Sequence, residues 1–308
     1  MGTKIGIIGT GGVGASVALS LLHFGAAGEL ILNDAKQDDA AGEAMDLLQG
    51  SSFYPTARVR AGAIEEMHDC DAVVVTAGVG RAAPGQSRLE LLTINTGIVA
   101  DIGRQLRGAR GIVVMVTNPV DLMTLMMTRA SGFPPARVIG TGTMLDPARL
   151  RQVLGRELDL DPRSIHGQVV GEHGASEVVL WSGVRVGGLP LHRWPGWDAA
   201  DQARVTEEVR TAGQEVIRLK GATTHAIGLV TATLLKWMLR GARRVLTVSR
   251  VQEGALGLTG VALSLPTVLS PAGAEQVIEP EMTATERDEV LHSAEVLREA
   301  AGPLGLPR

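Results

Sequence analysis

The sequence predicts an α/β fold, with a doubly wound parallel sheet over residues 1–142 and an α+β domain over residues 143–308. In the first part, short apolar runs typical of buried strands alternate with helical patterns, as in parallel sheets that carry helices on both faces. After residue 142 this alternation stops, and long helical patterns separate the strand-like runs. Because ligands of doubly wound sheets bind at the carboxyl ends of the strands, we expect a site between the two parts.

The first strand–helix–strand unit carries a ligand signal. A strand pattern over 4–8 leads into the segment 9–14, GTGGVG, then a helix over 15–24, a strand over 29–33 and Asp34. The glycines are Gly9, Gly11, Gly12 and Gly14. They permit a tight turn and a close approach of a pyrophosphate to the positive end of a helix. Asp34 would accept hydrogen bonds from ribose hydroxyls and repel a 2′-phosphate, so the unit predicts NAD rather than NADP, with Lys36 as the one opposing feature.

The remaining elements follow from the apolar periodicity. In the first part we expect a helix over 38–48, a strand over 71–76, a loop over 79–87, a helix from Arg88, a strand over 112–116, a helix from Asp121 and a strand over 137–140. In the second part we expect strands over 165–170 and 177–186, helices over 199–220 and 225–240, strands over 245–248 and 260–265, and a helix over 285–300. The glycine-, alanine- and proline-rich loop 79–87 is either a lid over the crevice or an ordinary surface loop.

Composition excludes several classes of function. The 308 residues are 45% hydrophobic and 20% charged, which is typical of a globular protein large enough for two domains. A net charge of −4 offers no basic surface for nucleic acid or an anionic membrane. The single cysteine, Cys70, excludes an intramolecular disulfide and a cysteine-based metal site, and we expect no metal. With no signal-peptide pattern and no apolar run long enough to cross a bilayer, we expect a cytoplasmic protein.

A histidine between two glycines marks the second part. In the segment 171–174, GEHG, the glycines would clear side chains from around His173 so that another molecule can approach it. Upstream, Asp146 would be the N-cap of a helix opened by Pro147, with Arg149 on the same side. Asp146 would fix the tautomer of His173 and raise its pKa, and Arg149 would bind a substrate carboxylate through two parallel hydrogen bonds. A structural histidine and a capped helix remain the alternative.

The order of these motifs resembles that of the L-lactate/malate dehydrogenase family over nearly the whole chain. The motifs, in order, are GTGGVG, Asp34, TAG (76–78), PGQSR (84–88), TNPVD (117–121), GTGTMLDPAR (140–149), GEHGASEVVLWS (171–182) and KGATTHAIG (220–228). The resemblance implies His173 as the proton acceptor and donor, Asp146 as its partner, Arg149 on the substrate carboxylate and Arg88 on the reacting carbonyl. It also implies Asn118 and Thr223 at the substrate, and Gly11, Gly12, Val13, Asp34, Gly78, Val79, Asn95 and Thr141 at NAD.

The resemblance leaves the substrate less certain than the reaction type. Glu172 before the histidine, the segment 180–182 after it, and Thr223 are similar to lactate enzymes. Against this, the segment 79–83 is one residue longer than in the family, and the position that selects the substrate falls on Arg81 or on Ala82. An inward Arg81 would suit the second carboxylate of oxaloacetate, whereas Ala82 would open an apolar pocket. We expect a lactate dehydrogenase, with malate or another L-2-hydroxy acid as alternatives.

The resemblance extends to regulation and assembly, with one departure. Arg151 and His166 fall where bacterial lactate dehydrogenases bind fructose 1,6-bisphosphate, but equally suit a solvated helix and a surface histidine. A glycolytic, allosteric homo-oligomer, a dimer or homotetramer, is implied. Ala175 stands where the family has an aspartate, and this loss is expected to lower the pKa of His173. A metal-dependent glycosidase lacks its ligands here, and a silent NAD sensor would have lost the active-site residues.

Overall fold

The computed structural model describes residues 2–80 and 88–305, which form a nine-stranded sheet, two small sheets and eight α-helices. The strands are β1 Lys4–Ile8, β2 Glu29–Asn33, β3 Arg58–Ala61, β4 Ala72–Val75, β5 Ile112–Met115, β6 Val138–Gly140, β7 Ile165–His166, β8 Val169–Val170, β9 Val178–Val179, β10 Arg185–Val186, β11 Leu189–Pro190, β12 Val245–Glu253, β13 Thr259–Ser270 and β14 Gly273–Val277. The helices are α1 Gly12–His23, α2 Gln37–Gln49, α3 Arg88–Gln105, α4 Val120–Ser131, α5 Asp146–Leu158, α6 Gln202–Lys220, α7 His225–Leu239 and α8 Ala284–Ala301.

Six strands of the first part form the predicted doubly wound sheet. Their order is β3-β2-β1-β4-β5-β6, and every neighbouring pair is parallel. The order reverses at β1, where the chain runs outward to β2 on one side and to β4 on the other. In open sheets of this kind, the reversal leaves a crevice at the carboxyl ends of the two central strands. The predicted fold class is confirmed, and the glycine-rich turn lies at that crevice.

Alternate side chains of the strands supply two separate cores, one on each face of the sheet. In β4, Val73 and Val75 join the core formed with α3, α4 and α8, whereas Val74 joins the core formed with α1 and α7. All three valines are almost completely buried. Burial on both faces explains why these strands read as continuous apolar runs and were recognisable in the sequence.

The second part of the chain extends the same sheet. Strand β12 pairs antiparallel with β6 at Ser249 and Gly140, and β13 and β14 follow in a meander. The runs predicted over 245–248 and 260–265 are therefore cores of much longer strands. The edge strands β3 and β14 were missed, because their sequences RVRA and GAEQV are too polar to give a strand signal.

The predicted strands 165–170 and 177–186 are broken into two-residue segments. Strands β7, β10 and β11 form one small sheet, and β8 and β9 form another. Together with α5 and α6 they enclose a third core, which includes Leu150, Ile165 and Val209. Among the helices of the described ranges, none has the combination of length and apolar character that crossing a bilayer demands.

Candidate active site

The turn between β1 and α1 has the shape that a phosphate-binding loop requires. Gly9 has φ +99°, and a β-carbon there would lie 2.6 Å from the backbone nitrogen of Ala77. A β-carbon on Gly14 would collide with the carbonyl oxygen of Gly9. Gly11, by contrast, faces open space: no other described heavy atom comes within 4 Å of the position of its β-carbon. Since α1 begins at Gly12, this open side lies at a helix N-terminus and fits a pyrophosphate.

Asp34 directly follows β2 and is bonded to the same turn. Its Oδ2 atom accepts hydrogen bonds from the backbone nitrogen of Thr10 at 2.7 Å and from the Thr10 hydroxyl at 3.1 Å. Its Oδ1 atom accepts one from the backbone nitrogen of Lys36 at 3.2 Å. Partial burial raises the pKa of Asp34, but these hydrogen bonds outweigh that effect and hold the pKa below its usual value. Asp34 therefore presents a carboxylate beside the turn, as a contact with ribose hydroxyls requires. Val13, on the first turn of α1, packs partly buried against the core of this face.

Loops after β4, β5 and β6 line the rest of the crevice and carry Gly78, Asn118 and Thr141. Asn95 on α3 joins two of these loops. Its Oδ1 accepts the backbone N–H of Val79 at 2.7 Å, and its Nδ2 donates to the carbonyls of Val79 and Asn118 at 3.2 and 3.1 Å. Asn95 thus holds the two loops together, and its direct contact with NAD stays a prediction.

His173 and Asp146 meet although 27 positions separate them in the sequence. Nδ1 of His173 lies 2.7 Å from Oδ2 of Asp146. The Asp146 side chain is fully buried, whereas that of His173 is 25% exposed. A carboxylate accepts the Nδ1 proton, so a neutral His173 carries its lone pair on Nε2, the ring nitrogen that is free to face a ligand.

Arg149 lies beside this pair on α5. Its Nη1 donates to Oδ1 of Asp146 at 2.7 Å, and its side chain is 16% exposed. The predicted N-cap role of Asp146 is wrong: Asp146 is the first residue of α5, and its carboxylate bonds Arg149 and His173 rather than the helix backbone. Gly213 on α6 leaves room for the guanidinium, since a β-carbon there would lie 3.2 Å from Nη2.

The chain as a whole matches one family. The model of the lactate/malate dehydrogenase NAD-binding domain matches residues 3–140, and that of the alpha/beta C-terminal domain matches residues 143–303. The chain belongs to the lactate/malate dehydrogenase family. The family assignment agrees with the crevice, the glycine-rich turn and the His173–Asp146 pair, and establishes an NAD-dependent dehydrogenase.

Individual members of the family are similar over nearly their full length. An L-lactate dehydrogenase of a Synechococcus strain is 40% identical over 299 residues, covering 96% of this chain and 97% of that protein. L-lactate dehydrogenase 2 of Lactococcus lactis is 40% identical over 303 residues, covering 96% of each. A minor L-lactate dehydrogenase from Enterococcus mundtii, solved in a ligands-bound form, superposes with a TM-score of 0.94 at 36% identity, covering 98% of both chains.

In this family member, the loop that carries His173 is fixed from two sides. The backbone N–H of His173 donates to Oδ2 of Asp121 at 2.8 Å, and the backbone N–H of Glu172 donates to the Ser293 hydroxyl at 2.8 Å. Gly171 has φ +87°, and a β-carbon there would lie 2.8 Å from Ser293 Oγ. This glycine is thus required by the backbone and by α8, rather than by access to the imidazole as the sequence suggested.

The pKa of His173 is raised, as expected from its pairing with Asp146. Burial lowers this pKa, but the charge of Asp146 and the hydrogen bond to it outweigh burial, and Asp121 and Glu177 add to them, so the pKa reaches about 9. Ala175 itself is exposed. The charges that set the pKa of His173 are therefore buried ones, and the missing aspartate does not remove them.

Sequence reasoning missed Glu177 as a site residue. It was assigned only to a strand pattern, yet its side chain is buried and its carboxylate lies within 4.8 Å of Asp146 and His173. The available signal was a glutamate four residues after the histidine. Whether its side chain points inward could not be predicted, because that depends on strand β9 starting at Val178.

The residues predicted at the substrate are placed as follows. Asn118 is exposed in the crevice, and its Oδ1 accepts the backbone N–H of Val120 at 3.2 Å. Thr223 is partly buried in the turn between α6 and α7, next to Thr224, whose Cγ2 lies 3.1 Å from the β-carbon position of Gly12. The turn with Thr223 thus borders the glycine-rich loop. Arg81, Ala82 and the Arg88 side chain lie outside the described residues, and their roles stay predictions.

Arg151 and His166 do not lie in this crevice. Both line a separate cavity of about 1090 Å³, together with Arg185, Glu279 and Glu281. The Nε atom of Arg151 is buried without a hydrogen-bond partner among the described residues. The two residues predicted to bind a bisphosphate therefore line one cavity, and two further arginines, Arg185 and Arg244, line it as well.

Proposed function

We propose that this chain interconverts L-lactate and pyruvate, with NAD as the hydride carrier. One observation carries the proposal: Asp146, fully buried, holds His173 through Nδ1 and Arg149 through Nη1, so that a proton donor and a carboxylate-binding group share one anchor. The relatives named L-lactate dehydrogenase support lactate over malate as the substrate. Glu172 and Thr223, which resemble the lactate enzymes, support the same choice.

His173 moves the proton of the reaction. The glycine-rich turn and Asp34 would hold NAD, which would supply the hydride acceptor for lactate oxidation and, as NADH, the hydride donor for pyruvate reduction. In lactate oxidation, Nε2 of neutral His173 accepts the hydroxyl proton, since Nδ1 is already committed to Asp146. In pyruvate reduction, protonated His173 donates from Nε2 to the carbonyl oxygen. Asp146 stabilises the imidazolium in both directions, because its carboxylate stays charged between two cationic partners.

Arg149 orients the substrate. Its guanidinium uses Nη1 on Asp146 and keeps its other donors for the substrate carboxylate, which would be held at a fixed distance from His173. Asn118 and Thr223 are proposed to border the same space, as the family resemblance implies. Arg88 is proposed to stabilise the charge that develops on the carbonyl oxygen, as the family resemblance implies.

The test is NADH oxidation by the purified protein with pyruvate and oxaloacetate side by side. We expect a higher kcat/KM for pyruvate, and a loss of at least about 10²-fold in the His173→Ala variant. His192→Ala, an exposed histidine on a short turn, is the matched control and should retain activity. A preference for oxaloacetate would reject lactate in favour of malate and would make Arg81 the selecting residue. NADH binding without turnover of either would indicate a catalytically silent sensor or a bulkier 2-oxo acid.

We infer that the cavity lined by Arg151, His166 and Arg185 binds fructose 1,6-bisphosphate and activates the enzyme. Four basic side chains, these three and Arg244, line a cavity of about 1090 Å³ and offer charge-assisted hydrogen bonds to phosphate oxygens. The unpartnered, buried Nε of Arg151 supports an anion there, because a buried donor without an acceptor is unfavourable.

We also infer that the chain forms a homo-oligomer and works in the cytoplasm, at the end of glycolysis. Exposed apolar side chains support association: Phe53 is 89% exposed, and Leu19, Met45 and Leu48 are exposed on α1 and α2. A single buried cysteine is compatible with a reducing compartment. Light scattering of the purified protein gives the number of subunits, and a monomer at working concentration would contradict the assembly.

A further inference from the structure

We propose that Glu177 is a positioning residue for the proton transfer: its buried carboxyl group lies against the His173–Asp146 pair and controls how tightly His173 holds its proton. This inference rests on the proposed function for its kinetic consequence only. The contacts of Glu177 within the protein are independent of any substrate.

The position of Glu177 shows what its carboxyl group acts on. Glu177 is 2% exposed. One of its carboxylate oxygens lies within 4.8 Å of a carboxylate oxygen of Asp146 and of a ring nitrogen of His173. Its buried Oε1 atom has no hydrogen-bond partner among the described residues. Buried carboxyl groups with a structural role are normally saturated with hydrogen bonds. The Oε1 atom of Glu177 is instead unpaired next to a histidine, where the carboxyl group, when ionised, acts through its charge rather than through a direct contact.

The backbone of Glu177 is held in place by α6. Arg210 donates two hydrogen bonds to the carbonyl oxygen of Glu177, from Nη2 at 2.7 Å and from Nε at 3.2 Å. On the amino side, the N–H of Glu177 donates to the carbonyl of Gly174 at 3.3 Å. These bonds hold the backbone of Glu177 in place, and its buried side chain lies beside the His173–Asp146 pair rather than in solvent.

Charges from three helices face this carboxyl group and its histidine. Asp146 and Arg149 come from α5 and Arg210 comes from α6, while Asp121 of α4 faces His173. With His173 protonated, the cations balance the buried carboxylates. When His173 gives its proton to the substrate, one positive charge leaves, and an ionised Glu177 beside Asp146 becomes unfavourable.

The two groups therefore titrate together. Burial and the charge of Asp146 raise the pKa of Glu177 to about 8, against the opposing charges of His173, Arg149 and Arg210. An ionised Glu177 favours the imidazolium, and a neutral Glu177 lets His173 release its proton. Ala175, at the position where the family has its aspartate, is exposed, so a carboxylate there would be screened by water. Glu177 places the equivalent charge in the interior.

The first experiment measures the pH profile of kcat/KM for pyruvate reduction in wild type, Glu177→Gln and Glu177→Asp. Gln keeps the size and removes the charge, so the falling alkaline limb should move to lower pH by roughly one unit. Asp keeps the charge but, being one methylene shorter, places it farther from His173, so the alkaline limb should move less. The control is Glu208→Gln, an acid on α6 paired with exposed Arg156, which should leave the limb in place. An unmoved limb in both Glu177 variants would overturn the proposal.

The second experiment needs no turnover. The imidazole protons of His173 are followed by NMR against pH, and assigned through the signal that His173→Asn removes. In Glu177→Gln the His173 titration should shift to lower pH by roughly one unit, and in Ala175→Asp by less. A wild type inactive with pyruvate would reject the proposed function, and this titration would still decide the role of Glu177. An unchanged His173 titration in Glu177→Gln would refute the role.

Discussion

The backbone N–H of His173 donates a 2.8 Å hydrogen bond to Oδ2 of Asp121, and so ties the catalytic loop to the first turn of α4. Asp121 is 2% exposed, and its other oxygen has no hydrogen-bond partner among the described residues. Burial raises the pKa of Asp121 to about 6, although the nearby Ser249 hydroxyl and the N–H of His173 oppose it. Anchoring the loop to a buried acid therefore makes the stability of the fold depend on pH.

We expect Asp121→Asn to be more stable than wild type above pH 6. The folded protein holds the Asp121 proton more tightly than the unfolded chain, so wild-type stability falls as pH rises from about 4 to about 6. Asn keeps the acceptor for His173 and cannot ionise, which should add about 2 kcal/mol at pH 7. Urea unfolding at pH 4 and pH 7 measures the difference in unfolding free energy between the variant and wild type. The exposed Asp288→Asn is the control. Equal differences from wild type at both pH values would contradict the assignment.

The two directions of the reaction should depend on pH in opposite ways. Pyruvate reduction needs protonated His173, and with a pKa of about 9 its kcat/KM should be flat near neutral pH and fall above about pH 9. Lactate oxidation needs the neutral ring and should rise toward the same pH. Steady-state kinetics from pH 6 to 10 in both directions tests this. A reduction limb centred near 6.5 would show that Asp146 does not hold the proton on His173.

Replacing Arg149 with Lys should weaken substrate binding far more than cofactor binding. A lysine keeps the charge but loses the flat pair of donors that binds a carboxylate, and it cannot serve Asp146 and the substrate together. We expect KM for pyruvate to rise by about 10²-fold or more, with little change in NADH affinity. Arg163→Lys, whose side chain is 90% exposed, is the control. A normal KM would remove Arg149 from the substrate site.

Asp34 should determine the choice between the two nicotinamide cofactors. Its pKa is held below the usual value, so it is charged wherever the enzyme works and repels a 2′-phosphate. Asp34→Ser should raise KM for NADH and narrow the NADH/NADPH ratio of kcat/KM by roughly tenfold or more. Asp38→Asn, exposed at the start of α2, should change neither value. An unaltered ratio in Asp34→Ser would place the ribose elsewhere.

The proposed bisphosphate site predicts that removing one charge outside the crevice, at Arg151, changes how the enzyme responds to the effector. Fructose 1,6-bisphosphate should lower KM for pyruvate in wild type, and Arg151→Gln should abolish that response while leaving the basal rate without effector intact. Inorganic phosphate at the same ionic strength controls for a general salt effect. Wild-type kinetics that do not respond to the bisphosphate would remove the proposed site.

Local features were predicted well from the sequence. The glycine-rich turn, the strand before it and the position of Asp34 after β2 depend on residues within one strand–helix–strand unit. Strand β2 has the predicted bounds, Glu29–Asn33. Strands buried on both faces, such as β4, are recognisable in the sequence as uninterrupted apolar runs. The His173–Asp146 pair was predicted too, but the resemblance to a known family reinforced what was otherwise only a plausible pairing.

What the sequence did not contain is the information carried by packing. The edge strands β3 and β14 are strands because of their neighbours, and their own residues are polar. Asp146 has the sequence signature of a helix cap, and only the approach of His173 and Arg149 redirects its carboxylate. The Glu177 side chain points inward because strand β9 starts one residue later, at Val178. Sequence periodicity does not define the start of a strand to within one residue.

The antiparallel join between Gly140 in β6 and Ser249 in β12 has a practical meaning for anyone dissecting the protein. A fragment ending at residue 142 would keep every predicted NAD contact, yet its last strand, β6, would offer unpaired backbone groups next to the fully buried Ile139. Exposed edges of this kind recruit strands from other molecules. Such a fragment should aggregate rather than bind the dinucleotide, so the cofactor-binding half is not a transplantable module in isolation.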